Sequence, residues 1–207
     1  MKFIIGVDEV GRGPLAGPIT LAAFLAPQNL RNELIKILGG KIKDSKQFSA
    51  KRRKEIYKEF KKLRKENKVF FCVSHISNKI IDRRGISKAT KIGIKKALEK
   101  LQLSYGHIKV IKNEIRLDGL LKAPEEYKNQ KTIIGGDSKD IFIACASIVA
   151  KVRRDRLMCR LAKKYPLYEL QTHKGYGTAL HCKLIKKYGL SEIHRQSFCK
   201  NLTISHK

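Results

Sequence analysis

The sequence predicts one α/β domain: a central mixed β-sheet flanked by helices, with a helical C-terminal extension over about residues 160–207. Three observations predict it. Strand-like runs alternate with helix-like runs after an initial strand pair. Hydrophobic residues make up 42% of the 207, enough for a core that removes roughly 70% of the unfolded chain's surface from water. No repeat, low-complexity linker or break in composition divides the chain, so a single domain is expected over 1–207.

Residues 2–8 and 19–26 (ITLAAFLA) read as strands joined by the loop GRGPLAGP. NLRNELIKIL suggests a short helix stopped by Gly39-Gly40. Ser49 has the chemistry of an N-cap for a basic helix at about 50–66, with Ile56, Phe60 and Leu63 on one face. VFFCVSHI (69–76) is a strand, and a helix over about 87–102 carries Ile92, Ile94, Ala97, Leu98 and Leu101. IKVI (108–111) and EIRLDG (114–119) lead a strand to Asp118, and TIIGGD (132–137) makes another that ends at Asp137. A helix opens near Asp140 and runs to about Leu157; helical stretches follow near 157–164 and 178–188, then an irregular tail.

Lys and Arg number 46 against 18 Asp and Glu, a formal net charge of +28. The partner such a surface fits is a polyanion, above all nucleic acid. Five cysteines (72, 145, 159, 182, 199) form an odd set with no C-x-x-C, which fits free thiols in a reducing compartment rather than a disulfide or zinc site. MKFIIGVDEV is too short and too quickly acidic for a signal peptide, and no run approaches the ~18 apolar residues of a membrane span. The expectation is a soluble, cytoplasmic monomer.

Most acids sit on basic helices and read as solvated or paired at i,i+4 spacing. Asp8-Glu9, Asp118 and Asp137 differ, because each lies where an apolar strand turns into a glycine-containing loop. Strand ends can meet on one edge of an α/β sheet, where such folds collect their active sites. Clustered carboxylates repel one another and raise each other's pKa unless cations compensate them. All-oxygen ligands suit Mg²⁺ or Mn²⁺, and two such ions roughly 3.5–4 Å apart can drive phosphodiester cleavage. Adjacent strand residues point to opposite faces, so the strand is expected to end or bend at Glu9. Gly11-Arg12-Gly13 offers bare backbone and one guanidinium to a ligand.

GVDEVGRGPLAGPI closely resembles the first motif of the type 2 ribonucleases H, the ribonuclease HII family. DSK (44–46) with Ser49, IDRRGISKAT (81–90), LDG (117–119), GGDSKDIFIACASIVAKVRRD (135–155), HKGYGTALH (173–181) and IHRQSF (193–198) are similar to its later blocks, in order. Arg116 before Asp118 and Leu120-Leu121 after Gly119 depart from the family pattern. The resemblance implies a ribonuclease H-like fold. It implies cleavage of the RNA strand of RNA–DNA hybrids, and nicking of duplex DNA 5′ of an embedded ribonucleotide, giving 3′-OH and 5′-phosphate ends. It implies that Asp8, Glu9, Asp118 and Asp137 bind the metals. Gly11, Arg12 and Gly13 would contact the ribonucleotide 2′-OH and nearby backbone, and Tyr176 would stack on the deoxyribose beside it.

From the residues themselves, Ser147, Lys151 and Asp155 form a polar stripe on an apolar helix. Lys151 and Asp155 can pair, Ser147 and Lys151 could hold a phosphate, and Asp155 fits a supporting role. Lys46 is a candidate DNA-phosphate contact. His173, His181 and His194 lie far apart without metal-type spacing, and His173 reads as loop structure or a substrate contact. A non-enzymatic ribosome-like protein would explain +28 but not four acids at strand ends. A proofreading-type exonuclease would carry Asp-x-Glu at its first strand, not adjacent acids. The related type 3 ribonucleases H usually carry an extra N-terminal domain, for which a first acid at Asp8 leaves no expected room. KNLTISHK shows no clamp-binding peptide, so recruitment is left open.

Overall fold

The computed structural model describes residues 2–105 and 109–202. β1 (Phe3–Val10) and β2 (Ile19–Pro27) pair antiparallel from Phe3↔Pro27 to Val10↔Thr20, and β3 (Phe70–Ile76) pairs antiparallel with β2. β4 (Glu114–Asp118) lies parallel to β1, and β5 (Gln130–Ile133) parallel to β4. The mixed sheet runs in the order β3-β2-β1-β4-β5. The helices are α1 (Arg31–Ile37), α2 (Ala50–Lys65), α3 (Asn78–Ser104), α4 (Gly136–Lys139), α5 (Ile141–Lys164), α6 (Leu170–His173) and α7 (Ala179–Tyr188).

Alternation along β1 and β2 divides the core into two layers. Ile4, Ala22 and Phe24 pack with Ile56 and Phe60 of α2 and Phe142 and Ile148 of α5. Ile5, Val7, Leu21 and Leu25 pack with Ile94, Ala97 and Leu98 of α3 on the other face. All nine positions of β2 are buried, as an uninterrupted apolar strand between two helical layers requires. α5 approaches β1 at Gly6, where an added Cβ would sit 2.1 Å from the Phe142 carbonyl carbon. That approach brings the start of α5 against the acidic end of β1.

The expected Ser49 cap is present: its hydroxyl accepts the Arg52 amide at 3.1 Å. Four expected boundaries move. α3 starts at Asn78 rather than near 87 and bends at Gly85, whose φ of 77° interrupts the helix inside the polar IDRRG stretch. Val110–Lys112 form a 3-10 turn where IKVI was expected to be a strand, and Ile108 lies outside the described residues. β5 stops at Ile133, so Asp137 stands in the first turn of α4 rather than at a strand end. α5 runs unbroken to Lys164, past the expected end at Leu157.

α6, α7 and the end of α5 share a third apolar cluster with Ala16, built around Met158, Tyr168, Leu170 and Ile185. The helical C-terminal part is therefore packed onto the loop that follows β1. Among the described residues no helix is long and apolar enough to cross a membrane, and all five cysteines are free.

Candidate active site

The end of β1, the end of β4 and the turn into α4 open onto one pit of ≈ 310 Å³. Asp8, Glu9, Asp118 and Asp137 line it with Gly11, Arg12, Gly13, Lys46, Ser147 and Tyr176. Lys151 and Asp155 are not in its lining; they pair with each other at 2.8 Å, and Arg53 lies 4.0 Å from Asp155. A second cleft of ≈ 430 Å³ shares Glu9, Arg12 and Asp118 and is walled by Ser87, Thr90 and Lys91 of α3.

The expected end or bend at Glu9 is absent. β1 stays paired with β2 through Val10, so Asp8 and Glu9 do project to opposite faces. Asp8 meets Ser147 of α5, and Glu9 borders the cleft under α3. They still line one pit, beside which β4 pairs with β1 only as far as Leu117 opposite Val7. Beyond that pair the edge of β1 is open, and both carboxylates feel the charge of Asp118 across it.

The pit is electrostatically strained. Asp8 is 4% exposed, and burial, then Glu9 and Asp118, push its carboxyl well above the ordinary 3.8. The Ser147 hydroxyl and the Glu9 amide, which donates to Asp8 Oδ1 at 2.7 Å, oppose that rise. Burial and Asp118 raise Glu9, against the pull of Arg12, whose Nη1 stands 3.8 Å from Glu9 Oε1. Asp137 is pushed up to about 6 by burial, then by Asp44 and Asp118, while Lys46 pulls it down. Asp118 Oδ1 accepts the amides of Gly136 at 2.7 Å and Asp137 at 3.4 Å, which fixes its rotamer at the start of α4.

Glu9 Oε2 is buried without a hydrogen-bond partner. A buried carboxylate oxygen left unpaired is costly and calls for a ligand. The all-oxygen donor set fits a hard divalent cation such as Mg²⁺ or Mn²⁺. Among the described residues no three Asp, Glu, His or Cys side chains form a ready-made cage for one ion. Mg²⁺ commonly takes only one or two carboxylates and completes its shell with water and substrate phosphates, so an open half-site fits it.

Over residues 5–201 the chain matches the family model described as Ribonuclease HII. It belongs to the ribonuclease HII family. A ribonuclease HII of Caldicellulosiruptor bescii is 41% identical over 97% of this chain and 88% of the relative. The crystal structure of the ribonuclease H2 from Pyrococcus horikoshii superposes with a TM-score of 0.73 at 24% identity, covering 97% of this chain and 96% of that one. A Bst-RNase HIII in complex with Mn²⁺ superposes with a TM-score of 0.70 at 21% identity, over 91% of this chain and 63% of that one. Membership makes the chain a nuclease, a hydrolase on the ribonuclease H-like fold anticipated above. The non-enzymatic reading is set aside.

Several residues of this ribonuclease HII frame escaped the sequence. Arg195 is fully buried and donates to the carbonyls of Gly11 at 2.7 Å, Arg12 at 2.6 Å and Gly17 at 3.0 Å. Arg154 is equally buried and donates to the carbonyls of Ala16, Pro18 and Lys174. Gly11 has φ 94°, and an added Cβ would lie 2.2 Å from Arg154 Nε. The Arg154 guanidinium also sits 5.6 Å from the Tyr176 ring centroid. Two arginines thus hold the glycine loop and tie it to the Tyr176 loop. Ser45 bonds Ser147 at 2.8 Å behind Asp8, and Asp44 supplies the second negative charge beside Asp137. Both lie in the DSK block, of which only Lys46 was singled out.

Arg116, the departure before Asp118, is anchored by Glu114 at 2.8 Å and by Asp140, the N-cap of α5, at 2.7 Å. After Gly119, Leu121 is buried and Leu120 is 87% exposed at the cleft. The three histidines, taken as distant, come together: the rings of His173 and His181 stack at 4.1 Å, and His181 Nε2 lies 3.2 Å from His194 Nε2.

Proposed function

We propose that this ribonuclease is an endonuclease that cuts the RNA strand of RNA–DNA hybrids and nicks duplex DNA on the 5′ side of embedded ribonucleotides, leaving 3′-OH and 5′-phosphate ends. The observation that carries the reading is the unpartnered Glu9 Oε2 within a buried, mutually repelling carboxylate group, set on a chain of net charge +28. Only an added cation makes such a pit compatible with a bound polyanion.

Asp8, Glu9, Asp118 and Asp137 would hold two divalent ions. Bound there, such ions supply the charge that activates a water and stabilises the departing 3′-oxygen. The protein's own groups do the rest. Asp118 Oδ1 is spent on backbone amides, which leaves Oδ2 for a cation. Ser147 favours the ionised form of Asp8, the form a cation needs. The carbonyls of Gly11 and Arg12 are occupied by Arg195, so the loop presents its amides and the Arg12 guanidinium to a ribose. A 2′-OH is what separates RNA from DNA locally, and backbone groups can sense it without reading the base. Tyr176 is 39% exposed at the rim and offers a ring face to the deoxyribose beyond the junction. Lys46, with a side chain 76% exposed, reaches for a strand phosphate.

The test is a DNA duplex with one embedded ribonucleotide, with the cut mapped by sequencing. Mg²⁺, Mn²⁺ and chelator are compared for the wild type and Asp8→Asn. Metal-dependent cutting 5′ of the ribonucleotide, lost in Asp8→Asn while binding persists, is expected. Cutting on the 3′ side, or wild-type turnover by Asp8→Asn, overturns the proposal.

A further inference from the structure

We infer that His181 and its partners His194 and His173 are positioning residues for Tyr176: a buried histidine relay fixes the loop that presents the ring to the substrate. The inference rests on the reading of Tyr176 as the residue that detects the RNA–DNA junction. None of the three histidines lines the pit, and His181, whose ring bonds the Tyr176 carbonyl, is the one to test.

The hydrogen-bond directions are determined by chemistry. A carbonyl only accepts and an amide only donates. His181 Nδ1 lies 2.9 Å from the Tyr176 carbonyl and must donate to it. His181 Nε2 is then a lone pair in the neutral ring, and it faces His194 Nε2 at 3.2 Å. His194 Nδ1 receives the Ser191 amide at 2.9 Å, so its proton sits on Nε2, pointed at His181. His173 Nδ1 receives the Gly175 amide at 3.2 Å, and its Nε2 proton goes to the Tyr168 carbonyl at 2.8 Å. Each linking nitrogen carries one proton or one lone pair with no conflict. The rings are neutral, in keeping with burial that holds His181 and His194 down to about 4.

The groups gripped are the point. His173 takes the Gly175 amide just before Tyr176, and His181 takes the Tyr176 carbonyl just after its side chain. The stacked rings brace both bonds, and His181 is fully buried. On the opposite side, the Gly175 carbonyl receives the amides of Leu15 and Ala16 from the glycine loop. The relay therefore sets where the Tyr176 ring stands relative to Gly11-Arg12-Gly13.

Two variants separate positioning from packing. His181→Phe keeps a ring and loses the donor; His181→Asn places an amide N–H where Nδ1 was. Steady-state kinetics on a long hybrid and on a single-ribonucleotide duplex give the ratio of the two kcat/KM values. His181→Phe should lower the single-ribonucleotide to hybrid ratio by about tenfold, the equivalent of ~1.4 kcal/mol for a lost buried hydrogen bond. His181→Asn should restore it to within about threefold, an amide donor replacing an imidazole one. In a Tyr176→Ala background His181→Phe should no longer change the ratio. If Tyr176→Ala itself leaves the ratio unchanged, the junction reading falls and this inference with it. If Tyr176→Ala lowers the ratio and His181→Phe does not, only the relay is overturned; an additive loss in the double variant overturns it too. ¹⁵N imidazole NMR of the wild type is independent of activity and of how the variants fold. It should show the proton on Nδ1 of His181 and on Nε2 of His173 and His194, and a proton on Nε2 of His181 refutes the relay.

Discussion

Asp137→Asn should make the metal-free protein more stable while abolishing metal-dependent cleavage. The sign follows from the titration. A carboxyl that titrates at about 6 in the fold and at 3.8 as its ordinary value binds its proton more tightly when folded. Folding is then penalised once pH rises above 3.8, and the penalty is complete above about 6. At ~1.36 kcal/mol per pKa unit the full difference is about 3 kcal/mol, and solvent at this half-buried position reduces it to roughly 1–3 kcal/mol. Asn keeps the shape and removes the charge. For a chain of this size, ~1 kcal/mol moves Tm by about 2–4 °C, so a rise of several degrees is expected at pH 7.5 in chelator. Near pH 3.5, where Asp137 is protonated in the fold and mostly protonated in the unfolded chain, the gain should largely vanish. Calorimetry at the two pH values, with and without Mg²⁺ or Mn²⁺, reads all of this. Metal should raise the wild-type Tm by mass action and do less for Asp137→Asn. A lower Tm for the variant in chelator at pH 7.5 would refute the claim that this carboxylate is held under strain for a cation.

Other outcomes follow from the same geometry. Gly11→Ala should lower stability by about 1–3 kcal/mol and depress cleavage of both substrates, read by melting and kinetics, because the new Cβ meets Arg154 and the φ is 94°. Arg195→Ala should cost about 2–4 kcal/mol, since three loop carbonyls lose a buried donor; unchanged hydrogen exchange at Gly11–Gly17 would count against it. Tyr176→Ala should reduce single-ribonucleotide cleavage roughly 5- to 150-fold, the value of ~1–3 kcal/mol of stacking, and hybrid cleavage less; an equal loss on both excludes a junction role. Affinity for a hybrid should fall steeply with salt, whereas Lys→Ala at Lys54, Lys58 or Lys61 alone should barely alter cleavage.

The strands and the four acids were legible because each carries its own local signal. Apolar runs such as ITLAAFLA can only be buried, and Asp8, Glu9 and Asp118 lie at the ends of such strands; Asp137 reads as a strand end in the sequence, but it stands in the first turn of α4. What stayed hidden was set by distance in sequence. His173, His181 and His194 are separated by turns and a helix, so nothing local announces a 3.2 Å contact. Arg154 and Arg195 are two of 46 basic residues, and composition cannot say which two are buried against carbonyls. Glu9 misled for a different reason. Alternation correctly placed it opposite Asp8, but the inferred bend assumed that a shared site needs a shared face. The two line one pit from opposite faces.

The division of charge around the pit explains why such a basic protein keeps it acidic. Arg154 and Arg195 are fully buried cations, each of which could have paired with an acid. Their hydrogen bonds go instead to main-chain carbonyls of the glycine and Tyr176 loops. Burial and the neighbouring Arg154 lower Arg195 only to about 10, so it remains a cation at neutral pH. These arginines thus stabilise the backbone of the glycine and Tyr176 loops, and Asp8 keeps the repulsion of Glu9. Arg12 approaches Glu9 no closer than a loose 3.8 Å pair with a side chain 46% exposed, free to swing to a phosphate. An internal salt bridge at Asp8 or Glu9 would stabilise the folded chain and would compete with any divalent ion for the same oxygens. Under the proposed function, the strain at Asp8, Glu9 and Asp137 is what would reserve the site for a cation.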